Sequence, residues 1–384
     1  MSGSQPNLFT YTYKNKTVTI ISSFIDVIGY ALFSRSRKPI EKSGVNKILV
    51  ARLDQIGDNF LATSFVEEIK KIFPLADVDV LTGEKTKSIW ENNPFVNKII
   101  IFNNPRLQGG PKISFKILRT IVKNLKKEKY DLFVDLRGEP LTALIGFLAK
   151  IHQRVGFVGH EVLGFLYTAS AIYQENKNEW LKYNDILALF DHPKQLPLPK
   201  IYPTTQENNA VSEIIKNKFS DNKIIAIHLT SGAQYKIWPT ENFAELTNNI
   251  HRQYPYTAFA VMGAKGDERF YEKFQSNIDF PAVNLIGKLS IRESYKFLSY
   301  ASLFIGNDSS LAHFAGSQGV PTIGLMNIAI GGAERGKPPG NKVYILEGNN
   351  PEHHCQTKNC AYPCPNMETI KVANVFNTAK KILK

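Results

Sequence analysis

Several short stretches of this 384-residue chain carry residue types that could do chemistry. In RLDQIGDNFLATS (52–64), Gly57 allows a tight turn and Asp58 stands just ahead of a helix expected to begin near Asn59. An aspartate there can cap the helix by accepting an amide N–H, or take a proton from a hydroxyl as a general base. HLTSGAQYKIWPTENF (228–243) contains a small polar loop, Thr230, Ser231 and Gly232, whose backbone can approach a phosphate closely. Lys236 follows, then Pro239, with Thr240 as the expected N-cap of the next helix. That lysine is either a solvated surface charge or a point charge for a diphosphate. In FIGNDSSLAHFAGSQGVP (304–321), a buried strand runs into Asp308, and Ser309 and Ser310 open a small-residue helix containing His313. The first turn of such a helix offers free N–H groups and partial positive charge to an anion. The plainer reading is a capping aspartate and a core histidine. DLRGEP (135–140) sits at another strand end, with Arg137 and Gly138 directed the same way.

The only three cysteines fall in EHHCQTKNCAYPC, as Cys355, Cys360 and Cys364 beside His353 and His354. Four sulfur and nitrogen ligands could close a tetrahedral zinc or iron site. The spacing is C-x4-C-x3-C and lacks paired C-x2-C knuckles, so buried or free thiols are the alternative. GGAERGKPPG (331–340) is a Gly-, Pro- and Lys-rich loop that reads as a mobile surface segment or as a phosphate or acceptor contact.

The elements that would position these loops alternate. Strands are expected at 46–52, 78–82, 98–102, 131–136 and 154–159, separated by helical patterns near 61–73, 113–128 and 139–150. DHPKQLPLPKIYPTTQENN (191–209) holds four prolines without periodicity and reads as a linker. The alternation then restarts, with strands at 224–229, 257–263, 283–287, 303–306 and 321–326. This pattern predicts an α/β chain of two parallel, doubly wound lobes with a cleft lined by loops at the carboxyl ends of strands. The expected divisions are an extension over 1–45, a first lobe over 46–190, the linker 191–209 and a second lobe over 210–384.

Composition bounds the partners. The chain is 43% hydrophobic with 24 Phe and 16 Tyr, which excludes disorder over most of its length. Its net charge of +13 leaves nucleic acid, anionic membrane and phosphorylated small molecules open. The charge is diffuse and no nucleic-acid-binding motif is present, so nucleic acid is not the expected partner. Few cysteines suit a reducing cytosol. Thr17 to Phe33, TVTIISSFIDVIGYALF, is too polar for a spanning helix and is followed by SRSRK. It reads as an amphipathic segment, either seated on an anionic membrane surface or packed on the protein itself.

Taken together, these motifs resemble glycosyltransferase family 9, the heptosyltransferases of lipopolysaccharide core assembly. The likeness runs from about Asn46 to Met367, through the G-D turn, the D-L-R-G segment, K-x-W-P and the D-S-S-x-x-H variant of the family's D-(S/T)-G-x-x-H. The resemblance implies a GT-B fold, with acceptor on the first lobe and nucleotide sugar on the second. It implies inverting transfer from an ADP-heptose-like donor to a lipid-linked or glycan acceptor, with no required cofactor. Asp58 matches the catalytic base, and Lys236 matches the lysine on donor sugar and phosphate. Asp308, Ser309, Leu311 and His313 match the donor-binding helix start; Ser310 departs from the family's glycine. Thr230, Ser231 and Gly232 join the donor set, and Gly57, Arg137 and Gly138 the acceptor side. The expected location is cytoplasmic, peripheral on the inner membrane. Another nucleotide sugar, a protein acceptor, a nucleotide-sugar epimerase or a non-enzymatic nucleic-acid binder are the competing readings.

Overall fold

The computed structural model describes residues 16–33, 39–103, 114–192, 195–220, 222–330, 332–353, 355, 360 and 362–384. The chain divides into two compact units, Met1–Gln174 with Glu179–Pro197, and Glu175–Asn178 with Leu198–Lys384.

The first unit is built on β1 (Lys47–Ala51), β2 (Asp77–Thr82), β3 (Lys98–Ile101), β4 (Leu132–Asp135), β5 (Gln153–Val158) and β6 (Ala169–Ile172). They form one sheet in the order β3-β2-β1-β4-β5-β6, and every pairing is parallel. β1 and β4 read as near-continuous apolar runs because both faces of a parallel sheet are covered. The second unit repeats the plan with β7 (Lys223–His228), β8 (Thr257–Met262), β9 (Val283–Asn284), β10 (Ala301–Asn307), β11 (Thr322–Asn327) and β12 (Val343–Gly348). Its order, β12-β11-β10-β7-β8-β9, is the same winding, again wholly parallel. In both units the order reverses between the first and fourth strands, the position where open α/β sheets place ligands.

The first helix among the described residues of the first unit is α1 (Lys16–Phe33), and a further helix, α2 (Ile56–Ile72), follows β1. α1 turns one face inward. Asp26 is buried and accepts the amide of Leu163 at 2.8 Å, and Phe33 meets the rings of Phe147 and Phe165. Gly29 lies flat against Phe165, where any side chain would collide with the ring. Opposite, Ile20, Ile21, Phe24, Ile25, Val27, Ile28 and Leu32 are exposed. At about 100° per residue these seven form one stripe about 160° wide. Among the described residues, no helix is long and apolar enough to cross a membrane.

The core of the second unit is organised around Trp238, which is fully buried and stands edge-on to Phe243. Its Nε1 donates to the carbonyl of Ile370 at 2.9 Å, tying the C-terminal helix Val372–Leu383 to the helix Thr240–Gln253. The expected linker ends sooner than 209, because Thr204 and Glu207 form a capping box and Thr205–Lys218 is helical.

Candidate active site

In the first unit, the loop after β1 carries Arg52 and Asp54 and runs straight into α2. The helix begins at Ile56, with Gln55 as N-cap and no side-chain cap bond. This corrects two expectations. Gly57 lies inside the helix and not in a turn before it, and Asp58 belongs to the first helical turn and is not the cap. Asn59 is buried within that turn and does not mark the helix start. Its Nδ2 donates to the carbonyl of Gln55 at 3.0 Å, and its Oδ1 accepts from Thr82 at 2.8 Å and Trp90 at 3.0 Å.

Asp58 is held by a guanidinium. Arg52 Nη2 lies 3.1 Å from Asp58 Oδ1 and 3.3 Å from Glu179 Oε1, while Nε lies 2.7 Å from Asp54 Oδ1. Arg52 is fully buried, whereas the Asp58 side chain keeps 28% of its surface exposed. A buried, anchored cation thus presents a partly open carboxylate, the arrangement a proton acceptor needs. The network extends further. Arg137 Nη1 is 3.5 Å from Asp54 Oδ2, and buried Lys182 donates to Glu179 Oε2 at 2.7 Å. Three cations (Arg52, Arg137, Lys182) therefore face three carboxylates (Asp54, Asp58, Glu179). Burial pushes the Asp54 carboxyl up from its ordinary value, against the pull of Arg52.

Arg137 and Gly138 stand at the end of β4. Buried Asp135 accepts the amides of both at 2.9 Å and the Tyr167 hydroxyl at 2.7 Å, and burial lifts its carboxyl to about 6. Gly138 has φ of +76°, and a side chain there would strike the carbonyl oxygen of Phe157. Only glycine fits this corner.

In the second unit, the loops after β7 and β10 interlock. Asn307, at the end of β10, donates through Nδ2 to the carbonyls of Leu229 (3.1 Å) and Thr230 (3.3 Å). Its Oδ1 accepts the amide of Trp238 at 2.9 Å. The Ser231 hydroxyl donates to the carbonyl of Asp308 at 2.7 Å. Lys236 is not a solvated charge: its Nζ donates to Asp308 Oδ2 at 2.6 Å. Nor is Asp308 a cap, since Ser309 is the N-cap of Ser310–Ser317 and no side chain caps that helix. Ser309 Oγ instead lies 3.0 Å from His228 Nδ1, and Thr230 Oγ1 lies 3.2 Å from His228 Nε2 while donating to Asp267 Oδ2 at 3.0 Å. Burial lowers His228 to about 4, so the imidazole is neutral and links two hydroxyls. Among the described residues, and apart from its chain neighbours, no atom lies within 4 Å of where a Cβ on Gly232 would stand. Leu311 and His313 are half-buried on the helix that Ser310 begins. A helix start, a lysine and a hydroxyl-lined loop side by side are groups of the kind that can receive an anion. Thr240 is the first helical residue and not the N-cap; its amide and hydroxyl both meet the Tyr362 hydroxyl, at 3.0 and 3.1 Å.

Sequence reading passed over Arg52, Asp54, Glu179, Lys182, His228, Asp267 and Asn307. Arg52 and Asp54 carried a signal, two charges at the end of an apolar strand. Glu179 and Lys182 lie far along the chain in a stretch with no periodicity.

His353, Cys355, Cys360 and Cys364 come together in the second unit, with their ligand atoms all within 4.8 Å of one another. His354 lies outside the described residues. Within GGAERGKPPG, Gly332–Gly336 forms a short helix.

The sequence profile of glycosyltransferase family 9 (heptosyltransferase) matches residues 118–365. The chain is 26% identical over 293 residues to lipopolysaccharide heptosyltransferase 2 of Salmonella typhimurium, covering 73% of this chain and 82% of that one. Among solved structures it is similar to a glycosyltransferase of family 9 from Veillonella parvula, with a TM-score of 0.76 at 18% identity over 90% of this chain and 99% of the other. It is also similar to the E. coli ADP-heptose lps heptosyltransferase II, with a TM-score of 0.69 at 18% identity, covering 88% and 98%. These likenesses, with the twice-repeated strand order, give the GT-B fold of two Rossmann-like units. Since the family profile spans well over half of its length, this chain is a glycosyltransferase and belongs to glycosyltransferase family 9, the heptosyltransferase family.

Proposed function

We propose that the chain moves a heptose from an ADP-heptose donor to a lipopolysaccharide-core acceptor with inversion at the anomeric carbon. The observation that carries this reading is the ion pair of Lys236 with Asp308 at the opening of the helix Ser310–Ser317, beside the hydroxyls of Thr230, Ser231 and Ser309. It is a cradle for a diphosphate, and the names of the relatives supply the ADP-heptose and the lipopolysaccharide.

In this mechanism Asp58 takes the proton of the acceptor hydroxyl as its oxygen bonds to the anomeric carbon. The bond from that carbon to the diphosphate oxygen breaks, and the electron pair leaves with ADP. Lys236 and the amides of the helix start meet the charge that develops on the leaving group. Asp308 keeps the lysine aimed at the loop where the diphosphate would sit. Arg52 fixes the direction of the Asp58 carboxylate.

The acceptor is lipid-linked in this reading, and α1 supports it. Along the sequence, the exposed apolar stripe lies between Lys14 and Lys16 on one side and Arg35, Arg37 and Lys38 on the other. An apolar face flanked by cations suits an anionic bilayer surface.

Calorimetric titration with ADP, UDP and GDP tests the donor, and selective binding of ADP is expected. A preference for UDP or GDP would overturn the heptose assignment. Asp58→Asn should lower transfer to heptose-deficient core by about 10² to 10⁴, the usual worth of a general base, with ADP affinity held within about threefold. Near-full turnover in that variant would remove Asp58 from the chemistry.

A further inference from the structure

Nothing in the transfer reaction uses the cysteines, yet all three are drawn into the second unit's core. Cys364 is fully buried in the main core cluster, with Cys355 and Cys360 packed against the same cluster. His353 Nε2 lies 3.3 Å from Cys360 Sγ and 3.8 Å from Cys364 Sγ, and Cys364 Sγ lies 3.9 Å from Cys355 Sγ. Three sulfurs and one nitrogen set about 2.0–2.3 Å from a common centre in a tetrahedron stand about 3.5–3.8 Å apart edge to edge. These three distances bracket that range, and no pair among the four ligand atoms is more than 4.8 Å apart. A disulfide would need two sulfurs at about 2.05 Å and would leave the third thiol and the imidazole without a purpose.

A second shell is also in place. Asn327, buried at the end of β11, donates through Nδ2 toward Cys364 Sγ (3.3 Å) and Cys355 Sγ (3.9 Å). Its Oδ1 accepts from Asn366 Nδ2 at 2.9 Å and from the amide of Ala329 at 3.0 Å, which fixes the orientation of the carboxamide. N–H donors turned onto sulfur are what thiolate ligands of a cation require. The same Nδ2 also reaches the carbonyl of Tyr235 at 2.7 Å, one residue before Lys236.

We propose that His353, Cys355, Cys360 and Cys364 bind one thiolate-preferring metal ion in a tetrahedral Cys3His site, with Zn2+ the ion this ligand set favours and iron the other that suits it. The ion is structural, because four protein ligands leave no open position for substrate. It pins the segment between β12 and the C-terminal helix to Asn327, and through Asn327 to the turn that carries Lys236. The site does not depend on which sugar the enzyme transfers.

The test is elemental analysis of the full chain, purified under reducing conditions without metal-affinity resin. About one zinc or one iron per chain is expected, and the element found identifies the ion. Metal well below one-tenth of an equivalent would count against the site. Co2+ added to chelator-stripped, reduced chain should then develop the visible absorption of tetrahedral cobalt–thiolate, saturating at one equivalent. Asn327→Ala keeps all four ligands and should weaken Co2+ binding by about tenfold or more, with an unchanged far-ultraviolet spectrum. Cys355→Ser and Cys360→Ser should each weaken it further. Absence of the cobalt band in the native chain, or a band undiminished in both serine variants, would overturn the proposal.

Discussion

Arg52 holds more of the first unit's site than any other side chain, since its guanidinium reaches Asp54, Asp58 and Glu179 and the carbonyl of Leu136. Removing one member of a buried ion network strands its partners, at a cost of about 3–5 kcal/mol. Arg52→Ala should therefore lower stability, measured by thermal or denaturant unfolding, by that amount and reduce transfer along with it. Lys236→Ala should behave differently. The lysine and Asp308 are both partly open, at 21% and 18% exposure, so stability should change by about 1 kcal/mol or less. Affinity for ADP, measured by calorimetry, should fall by about tenfold or more as a charge-assisted contact is lost. Asp58 and Asp308 could be picked out in the sequence because each follows an apolar strand with a small residue beside it, and Lys236 because it follows the small polar loop Thr230–Gly232. Their partners could not. The link from Arg52 to Glu179 spans 127 positions, and only the folded sheet brings the two together.

At the scale of elements, the strands were legible because parallel strands buried on both faces are short apolar runs with little ambiguity. β6 (ASAI) and β12 (VYILEG) were missed. The first is only four residues long, three of them small, and the second is an edge strand with a broken burial pattern. The helix Thr205–Lys218 announces itself through Thr204 and Glu207, but the prolines just upstream mask the signal. α1 packs on the protein through Asp26, Gly29 and Phe33, as one reading of its sequence expects, and turns its isoleucines and Phe24 away. Substitutions on the two faces should therefore have separate effects. Phe24→Glu with Ile28→Glu should reduce co-sedimentation with phosphatidylglycerol vesicles severalfold while leaving thermal stability unchanged, because both side chains are exposed. Gly29→Leu should lower stability instead, since its side chain would meet the Phe165 ring. Equal vesicle binding by the double variant and the native chain would show that α1 is not the lipid contact.

For the molecule as a whole, acid acts in two directions. Burial lowers His228 to about 4 and His160 to about 3, so the unfolded chain takes up protons first as pH falls below the usual histidine range. That erodes stability on acidification. Asp135, lifted to about 6, and the raised Asp54 work the other way, because the folded chain protonates before the unfolded one does. The opposed groups should give the native protein a shallow stability profile between pH 7 and 5. His228→Gln removes one arm. Relative to the native chain, this variant should gain about 2 kcal/mol between pH 7 and pH 5, read as the change in the difference of their unfolding free energies. A constant difference across that interval would mean that the folded chain protonates His228 as readily as the unfolded chain does.

The winding shared by the two sheets has a practical side. In the proposed reaction both units use groups on the loops after their first and fourth strands and on the helices those loops open, at the carboxyl ends of the sheets. The turns entering the strands from the opposite end are thus spare. Leu75, almost entirely exposed in the turn between α2 and β2, and Tyr256, half exposed ahead of β8, mark two such places. A fluorophore attached at either position would ride on a rigid sheet without touching the residues that bind or react, giving each half of the enzyme its own reporter.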